Sequence, residues 1–359
     1  MTQILQKRAP ALSIRAGALA RQLIEKQGLQ ASQVDILPGA AGGPKGIGIQ
    51  GLDQAVFGNF LPRAPRRRTI VGSSIGAWRF ASIAAWGAKA GTERLAELYT
   101  HLHFDQKMSR FEVAEICKNM LMDLLGGRQQ QLIDHPELHL TVLSVKAQHL
   151  FASDKALPLL ASVAGIIGSN ALGRRHSRHF MQRVVSQPAA GQQFQVQDDF
   201  TTHYQALNEG NALDWLMASA SIPGVMSAVR GIQDAPQGSY RDGGLIDYHL
   251  DLPFSSQGIV LYPHFTGSIT PGWFDKMLKS RKASPENQAR TLLLSPSADY
   301  LRSLPLGRLP DRKDFTLKGL DQQQRIKLWN QSVAESQRLG DEFLEMAEKQ
   351  NFPQFMQPL

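Results

Sequence analysis

Gly72-Ser73-Ser74-Ile75-Gly76 sets a serine in a G-x-S-x-G frame. It follows the short β-branched run Thr69-Ile70-Val71 and precedes a helical pattern reaching Trp86. In this strand–turn–helix setting such a serine stands above a sheet as a nucleophile. Small residues at Gly72 and Gly76 let neighbouring backbones pass close. The helix opening at Ile75 aims free amides and the positive end of its dipole at a site of developing negative charge. A turn whose glycines serve packing, and whose Ser73 or Ser74 merely caps a helix, fits the same letters. Ser74 therefore needs partners.

Gly39-Ala40-Ala41-Gly42-Gly43-Pro44-Lys45-Gly46 again lies between a strand pattern, Val34 to Leu37, and an apolar helical run through Phe57. It is not a triphosphate loop: in the G-x-x-x-x-G-K-[ST] frame Gly46 replaces the magnesium-binding hydroxyl, and Pro44 has no N–H to donate. The amides of Gly42 and Gly43 suit a tetrahedral oxyanion, each such donor being worth about a hundred- to thousandfold in rate. Tyr240-Arg241-Asp242-Gly243-Gly244 offers the third element. Asp242 can take a proton from serine only if it is partly desolvated and within hydrogen-bond reach. Alone, an Asp-Gly-Gly is a turn.

Taken together, Ala41 to Gly46, Gly72 to Gly76 and Asp242-Gly243-Gly244, with Ala218-Ser219-Ala220-Ser221-Ile222-Pro223-Gly224 upstream of the aspartate, resemble the patatin-like phospholipase family in order and spacing over about residues 34 to 262. The resemblance implies a three-layer α/β sandwich with a mostly parallel central sheet. It also implies a Ser–Asp dyad without histidine, carried by Ser74 and Asp242, with Gly42 and Gly43 as oxyanion donors and Lys45 at the loop's basic position. Gly72 and Gly76 match the elbow, and Gly243 and Gly244 the aspartate box. The implied reaction is acyl-ester hydrolysis through an acyl-enzyme, on a lipid or another acyl ester, with no cofactor and no metal. Ala41 departs from the pattern, standing where the first loop glycine is expected, and alanine resists a positive φ. Two other readings stay open: a Ser–His–Asp esterase using His249 or His264, which follow Asp242 in chain order, and a lipid-binding protein that keeps the fold without turnover.

The elements that must position these residues are legible from periodicity. Leu138 to Val145, Ile259 to Tyr262 and Thr291 to Leu294 read as further buried strands, and helical patterns fill the chain from Ile75 to about Leu125. Strands alternating with helices imply a mostly parallel α/β sheet. Residues 11–27 show helical spacing, so 1–33 reads as an N-terminal helical segment, 34–265 as the catalytic domain, and 266–359 as a largely helical extension. In that extension 302–312 is a Pro/Gly/Arg-rich linker, and Leu320 to Lys349 form one helix or two broken near Gly340.

Composition narrows the function classes. With 359 residues, 42% hydrophobic and 19% charged, the chain can bury a large core. The single cysteine, Cys117, excludes an internal disulfide and any multi-cysteine metal cluster. His135 and His139 are separated by Pro136, and the pairs His101/His103 and His176/His179 lack converging ligands. Charges at Lys7, Arg8, Arg15 and Arg21 leave no signal-peptide core, and no run is long enough to span a bilayer, which points to a cytoplasmic protein. The net charge of +8 favours a polyanion; without a nucleic-acid reading motif, an anionic membrane surface fits better. The uncharged run Ala156 to Gly173, followed by Arg174, Arg175 and Arg178, is either a core helix with a basic end or an interfacial segment. Arg63, Arg66, Arg67 and Arg68 precede their strand by design of the sheet on the order of 15 Å from Ser74, at about 3.3 Å per residue. They read as a solvated face or a partner contact.

Overall fold

The computed structural model describes residues 9–105, 107–190 and 193–359; Lys7 and Arg8 lie outside them. Short apolar runs become strands of one sheet: β1 (Leu12–Ala16), β2 (Val34–Gly39), β3 (Arg68–Ser73), β4 (Leu138–Ala147), β5 (Met181–Gln187), β6 (Thr202–Ala206), β7 (Ser239–Asp242), β8 (Ile259–Pro263), β9 (Thr291–Pro296) and β10 (Met356–Pro358). Their order is β10-β1-β9-β8-β2-β3-β4-β5-β6, with β7 also paired to β4. The centre, β9-β8-β2-β3-β4, is parallel throughout. Among the described residues only the ladders β1/β9, β4/β5 and β4/β7 run antiparallel. The architecture is therefore mixed α/β, a mostly parallel sheet flanked by helices.

Central parallel strands are apolar on both faces because both are covered. Ile70, Leu140, Val142 and Val184 point into the main core with Trp78, Phe80, Leu121, Trp329 and Phe343. Their neighbours Val71, Leu143 and Val185 face the other side, against Phe194, Leu250 and Leu252. The helices Ile75–Trp86, Ala88–Thr100 and Arg110–Leu125 follow β3.

Four local expectations change. Residues 11–27 are not one helix: Leu12-Ser13-Ile14-Arg15-Ala16 alternates buried and half-buried positions as β1, and the helix begins at Ala18. A period of two and a helical period both fit so short a run, and the open edge of β9 decides. The C-terminal helices Gln322–Glu335 and Gln337–Lys349 part at Ser336, not at Gly340. Ser336 Oγ accepts the Gly51 N–H at 2.9 Å, which anchors the break. Arg68 is not on a solvated face. It is buried, and its guanidinium donates to the carbonyls of Val34, Ala31 and Ala64 at 3.2, 2.9 and 2.8 Å. Finally, the helix Ala156–Leu172 is only half core: Leu159, Ser162, Ile166 and Asn170 are buried, whereas Leu157, Leu160 and Leu172 are 80%, 67% and 86% exposed. Arg174 beyond it turns inward to the Ile246 carbonyl at 2.7 Å, leaving Arg175 and Arg178 exposed.

Candidate active site

Ser74 and Asp242 meet because β3 and β7 share one edge of β4. β5 occupies β4 from Val142 to Ala147. β3 pairs with β4 on the opposite edge as far as Ser73↔Leu143, and β7 continues that edge antiparallel from Asp242↔Ser144 to Ser239↔Ala147. The two strands thus arrive end to end, and the residue after β3 abuts the last residue of β7. Ser74 Oγ donates to Asp242 Oδ2 at 2.9 Å.

The turn at Ser74 is sharp, with φ 55° and ψ −127°, a left-handed conformation that costs a non-glycine residue on the order of 1–3 kcal/mol. Surrounding bonds hold it. The Ser74 N–H donates to Ser219 Oγ at 2.8 Å, and Ser219 Oγ donates to the Leu143 carbonyl at 2.6 Å, so the elbow is tied to β4. The Ser74 carbonyl accepts the amides of Ala77 and Trp78 and starts the helix. Gly76 is required by proximity: a Cβ there would fall 2.0 Å from the Gly39 carbonyl oxygen. Gly72 and Gly243 lie in the same tight layer.

The glycine loop passes beside this elbow. Ala41 has no positive φ, and its N–H donates to the Tyr248 carbonyl at 2.9 Å, so alanine fits without strain. The left-handed residue is Gly43, at φ +59°. It opens a tight helical turn, Gly43–Ile49, whose first amides have no acceptor within the turn. Lys45 pairs with Asp311 at 3.4 Å.

Two cavities converge on Ser74. One, about 420 Å³, is lined by Gly42, Lys45, Asp242, Tyr248, Lys276 and Arg312 besides Ser74 itself. The other, about 450 Å³, is mostly apolar and bounded by Gly43, Trp78, Leu102, Phe104, Val113 and Phe315. A separate cavity of about 380 Å³ at the amino ends of β2 and β3, by Asp35, Arg66, Arg67 and His139, does not include Ser74.

Burial sets the charge state of the pair. Ser74 and Asp242 are 5% and 6% exposed. Removal from water pushes the Asp242 carboxyl from its ordinary 3.8 up to about 6. The Gly244 N–H at 2.7 Å, the Ser74 hydroxyl and the nearby Arg312 and Lys276 charges hold it from rising further. His249 and His264 are elsewhere engaged: their Nδ1 atoms accept the N–H groups of Thr270 at 3.0 Å and Thr266 at 2.8 Å. Burial keeps both neutral, taking His264 down to about 3 and His249 well below its ordinary value. Among the described residues neither ring bonds to Ser74 or Asp242.

Lys276, Asp311 and Arg312 belong to the site but carry no local motif and arrive from segments outside every sequence pattern that pointed to Ser74, while Tyr248 lies just beyond the aspartate box. Ser219 had a signal, since it sits in the Ala218–Gly224 segment. A family model described as patatin-like phospholipase matches residues 42–249, more than half of the chain. No curated protein matches the sequence. With Gly42 to Gly46 of the glycine loop, the elbow serine and the aspartate box inside the matched span, the chain belongs to the patatin-like phospholipase family, a family of lipid acyl hydrolases.

Proposed function

We propose that the protein is a serine lipid acyl hydrolase in which Ser74 is the nucleophile, Asp242 the general base, and the amides of Gly42 and Gly43 the oxyanion donors. The observation that carries this reading is the 2.9 Å hydrogen bond from Ser74 Oγ to a carboxylate that burial has made more basic. Asp242 accepts the Oγ proton as Oγ bonds to the ester carbonyl carbon. The carbonyl oxygen, now an anion, is held by the loop amides. Collapse breaks the bond to the alcohol, which leaves with the proton from Asp242, and the acyl group stays on Ser74. Water then adds to the acyl-enzyme as Asp242 takes its proton, and the acid departs while that proton returns to Oγ.

The apolar cavity suits an acyl chain, and the neighbouring cavity the alcohol part. The rim supports action at a lipid surface. Asn170 Nδ2 donates to Asp275 Oδ1 at 2.8 Å, docking the buried side of the Ala156–Leu172 helix on the segment that carries the exposed Trp273 and Met277. Val163 and Trp273 also line the cavity holding Ser74 and Asp242. Apolar side chains at the mouth with Arg175 and Arg178 beside them fit an anionic membrane.

A fluorophosphonate probe and a panel of phospholipid, lysophospholipid, glyceride and short-chain esters test the assignment. Ser74→Ala should abolish labelling and lower hydrolysis by about 10⁴-fold or more, and Asp242→Asn by about 10²- to 10⁴-fold. A folded wild type that binds lipid but is never labelled would make it a binding protein. A loss on His249→Gln or His264→Gln equal to that of Ser74→Ala would return the histidine triad.

A further inference from the structure

Two cations outside the family-matched span stand where the cavities meet. Arg312 lines both of them. A Cβ on Gly43 would come within 3.4 Å of its Nη2, so the guanidinium lies over the loop backbone. The carboxylates and the aromatic ring beside it are engaged. Asp311 holds Lys45 at 3.4 Å and accepts the Lys313 N–H at 3.1 Å. The buried Asp314 accepts from the Arg308 guanidinium, from Trp329 Nε1 at 3.0 Å and from the Asp311 N–H at 3.0 Å. Phe315 packs edge-on against Phe104 and Trp329. This strap is anchored on either side of Arg312, yet among the described residues the Arg312 guanidinium meets no protein acceptor.

Lys276 lines the same cavity as Ser74, with Nζ 3.8 Å from the Tyr248 ring centroid and, among the described residues, no carboxylate partner. Desolvation first, and after it the charges of Lys45 and Arg312, bring its pKa down to about 8. Lys45 being committed to Asp311, the cavity presents two unpaired cations against Asp242. Both side chains reach solvent, so water screens them while the cavity is empty, and a neutral alcohol group would gain nothing from their charge. An oxyanion would accept the planar donors of arginine in a bidentate fork and the ammonium as a point charge.

We propose that Arg312 and Lys276 form a phosphoryl-binding subsite that selects esters whose alcohol part carries a phosphate, with the acyl chain in the apolar cavity. The assignment rests on the acyl-hydrolase reading, and it makes the C-terminal strap a specificity element rather than a linker.

The test uses two esters of one acyl chain that differ only in phosphate: a monoacylglycerol and the corresponding lysophosphatidate, both below their micelle concentrations. Wild type should prefer the lysophosphatidate in kcat/KM. Arg312→Gln and Lys276→Gln should each lower that preference about tenfold or more, mainly through KM, while Arg312→Lys keeps part of it. In the non-hydrolysing Ser74→Ala background, calorimetric binding of lysophosphatidate should weaken by the same factor on Arg312→Gln. A loss shared equally by both esters would overturn the proposal and assign Arg312 to the oxyanion or to Asp242 instead. An unchanged preference would overturn it as well. Inorganic phosphate binding as tightly as lysophosphatidate would show a site for the free anion, not for the substrate. Failure of the dyad reading looks different: Ser74→Ala would then retain turnover, whatever the substrate preference.

Discussion

At the residue scale the decisive quantity is the proton affinity of Asp242. In water a carboxylate is too weak a base for a serine hydroxyl; burial moves Asp242 toward 6 and narrows the gap. As general base it must be ionised, so kcat/KM should rise with pH through about 6 and then level off, as a pH–rate profile with a soluble ester will show. The same shift has a cost in stability. Because the folded pKa is raised above the ordinary 3.8, this group's contribution is fully present below about pH 4 and is lost as pH rises through about 6. Asp242→Asn, which keeps an oxygen for the Gly244 N–H, should therefore unfold at a higher temperature than wild type at pH 8. The gap, on the order of 3 kcal/mol, should close toward pH 4. The same tendency to trade stability for activity shows in the left-handed backbone of Ser74.

At the element scale the site is a junction of strand ends. β3 stops at Ser73, the elbow turns into its helix, and β7 fills the edge of β4 that β3 has left. The glycine loop leaves β2 one strand away, where Gly39 pairs with Gly72. Gly76 sits between these pieces, facing the Gly39 carbonyl. In Gly76→Ala the added methyl must push β2 and its loop from the elbow, so stability should fall by about 1–3 kcal/mol by urea denaturation. Fluorophosphonate labelling should slow further than the folded fraction explains, because Gly42 and Gly43 move with the loop. Labelling that tracks the folded fraction alone would show that the loop amides contribute nothing.

At the scale of the whole molecule, the terminal segments complete the sheet through β1, β9 and β10, and the strap at 308–315 reaches the active-site cavities. Among the described residues no helix is long and apolar enough to cross a membrane. The proposed membrane-facing surface rests instead on the exposed Leu157, Leu160 and Leu172 of one helix and on Trp273 at the cavity. Leu157→Ser with Leu160→Ser should weaken binding to phosphatidylglycerol vesicles at every salt concentration, roughly tenfold. Arg175→Gln with Arg178→Gln should weaken it at low salt only, since screening removes the electrostatic part. Vesicle sedimentation reads both; binding indifferent to either pair would remove the membrane-facing orientation.

Local grammar was readable in the chain itself. Strand, tight turn and helix at Val34–Phe57 and Thr69–Trp86 follow from β-branched runs, small residues and apolar spacing, all set by contacts between near neighbours. The same short range explains the failures: Leu12–Ala16 satisfied two periodicities, Gly340 looked like a break, and Arg68 looked solvated until its carbonyl partners were in place. Only the tertiary structure could bring Ser74 and Asp242 together across 168 positions, because that meeting depends on the register of β4 with two other strands. Burial, and with it the basicity of Asp242, likewise exists only once the sheet is covered. Arg312 and Lys276 reach the site by packing of the C-terminal segments, a long-range event that leaves no periodicity or spacing in the sequence.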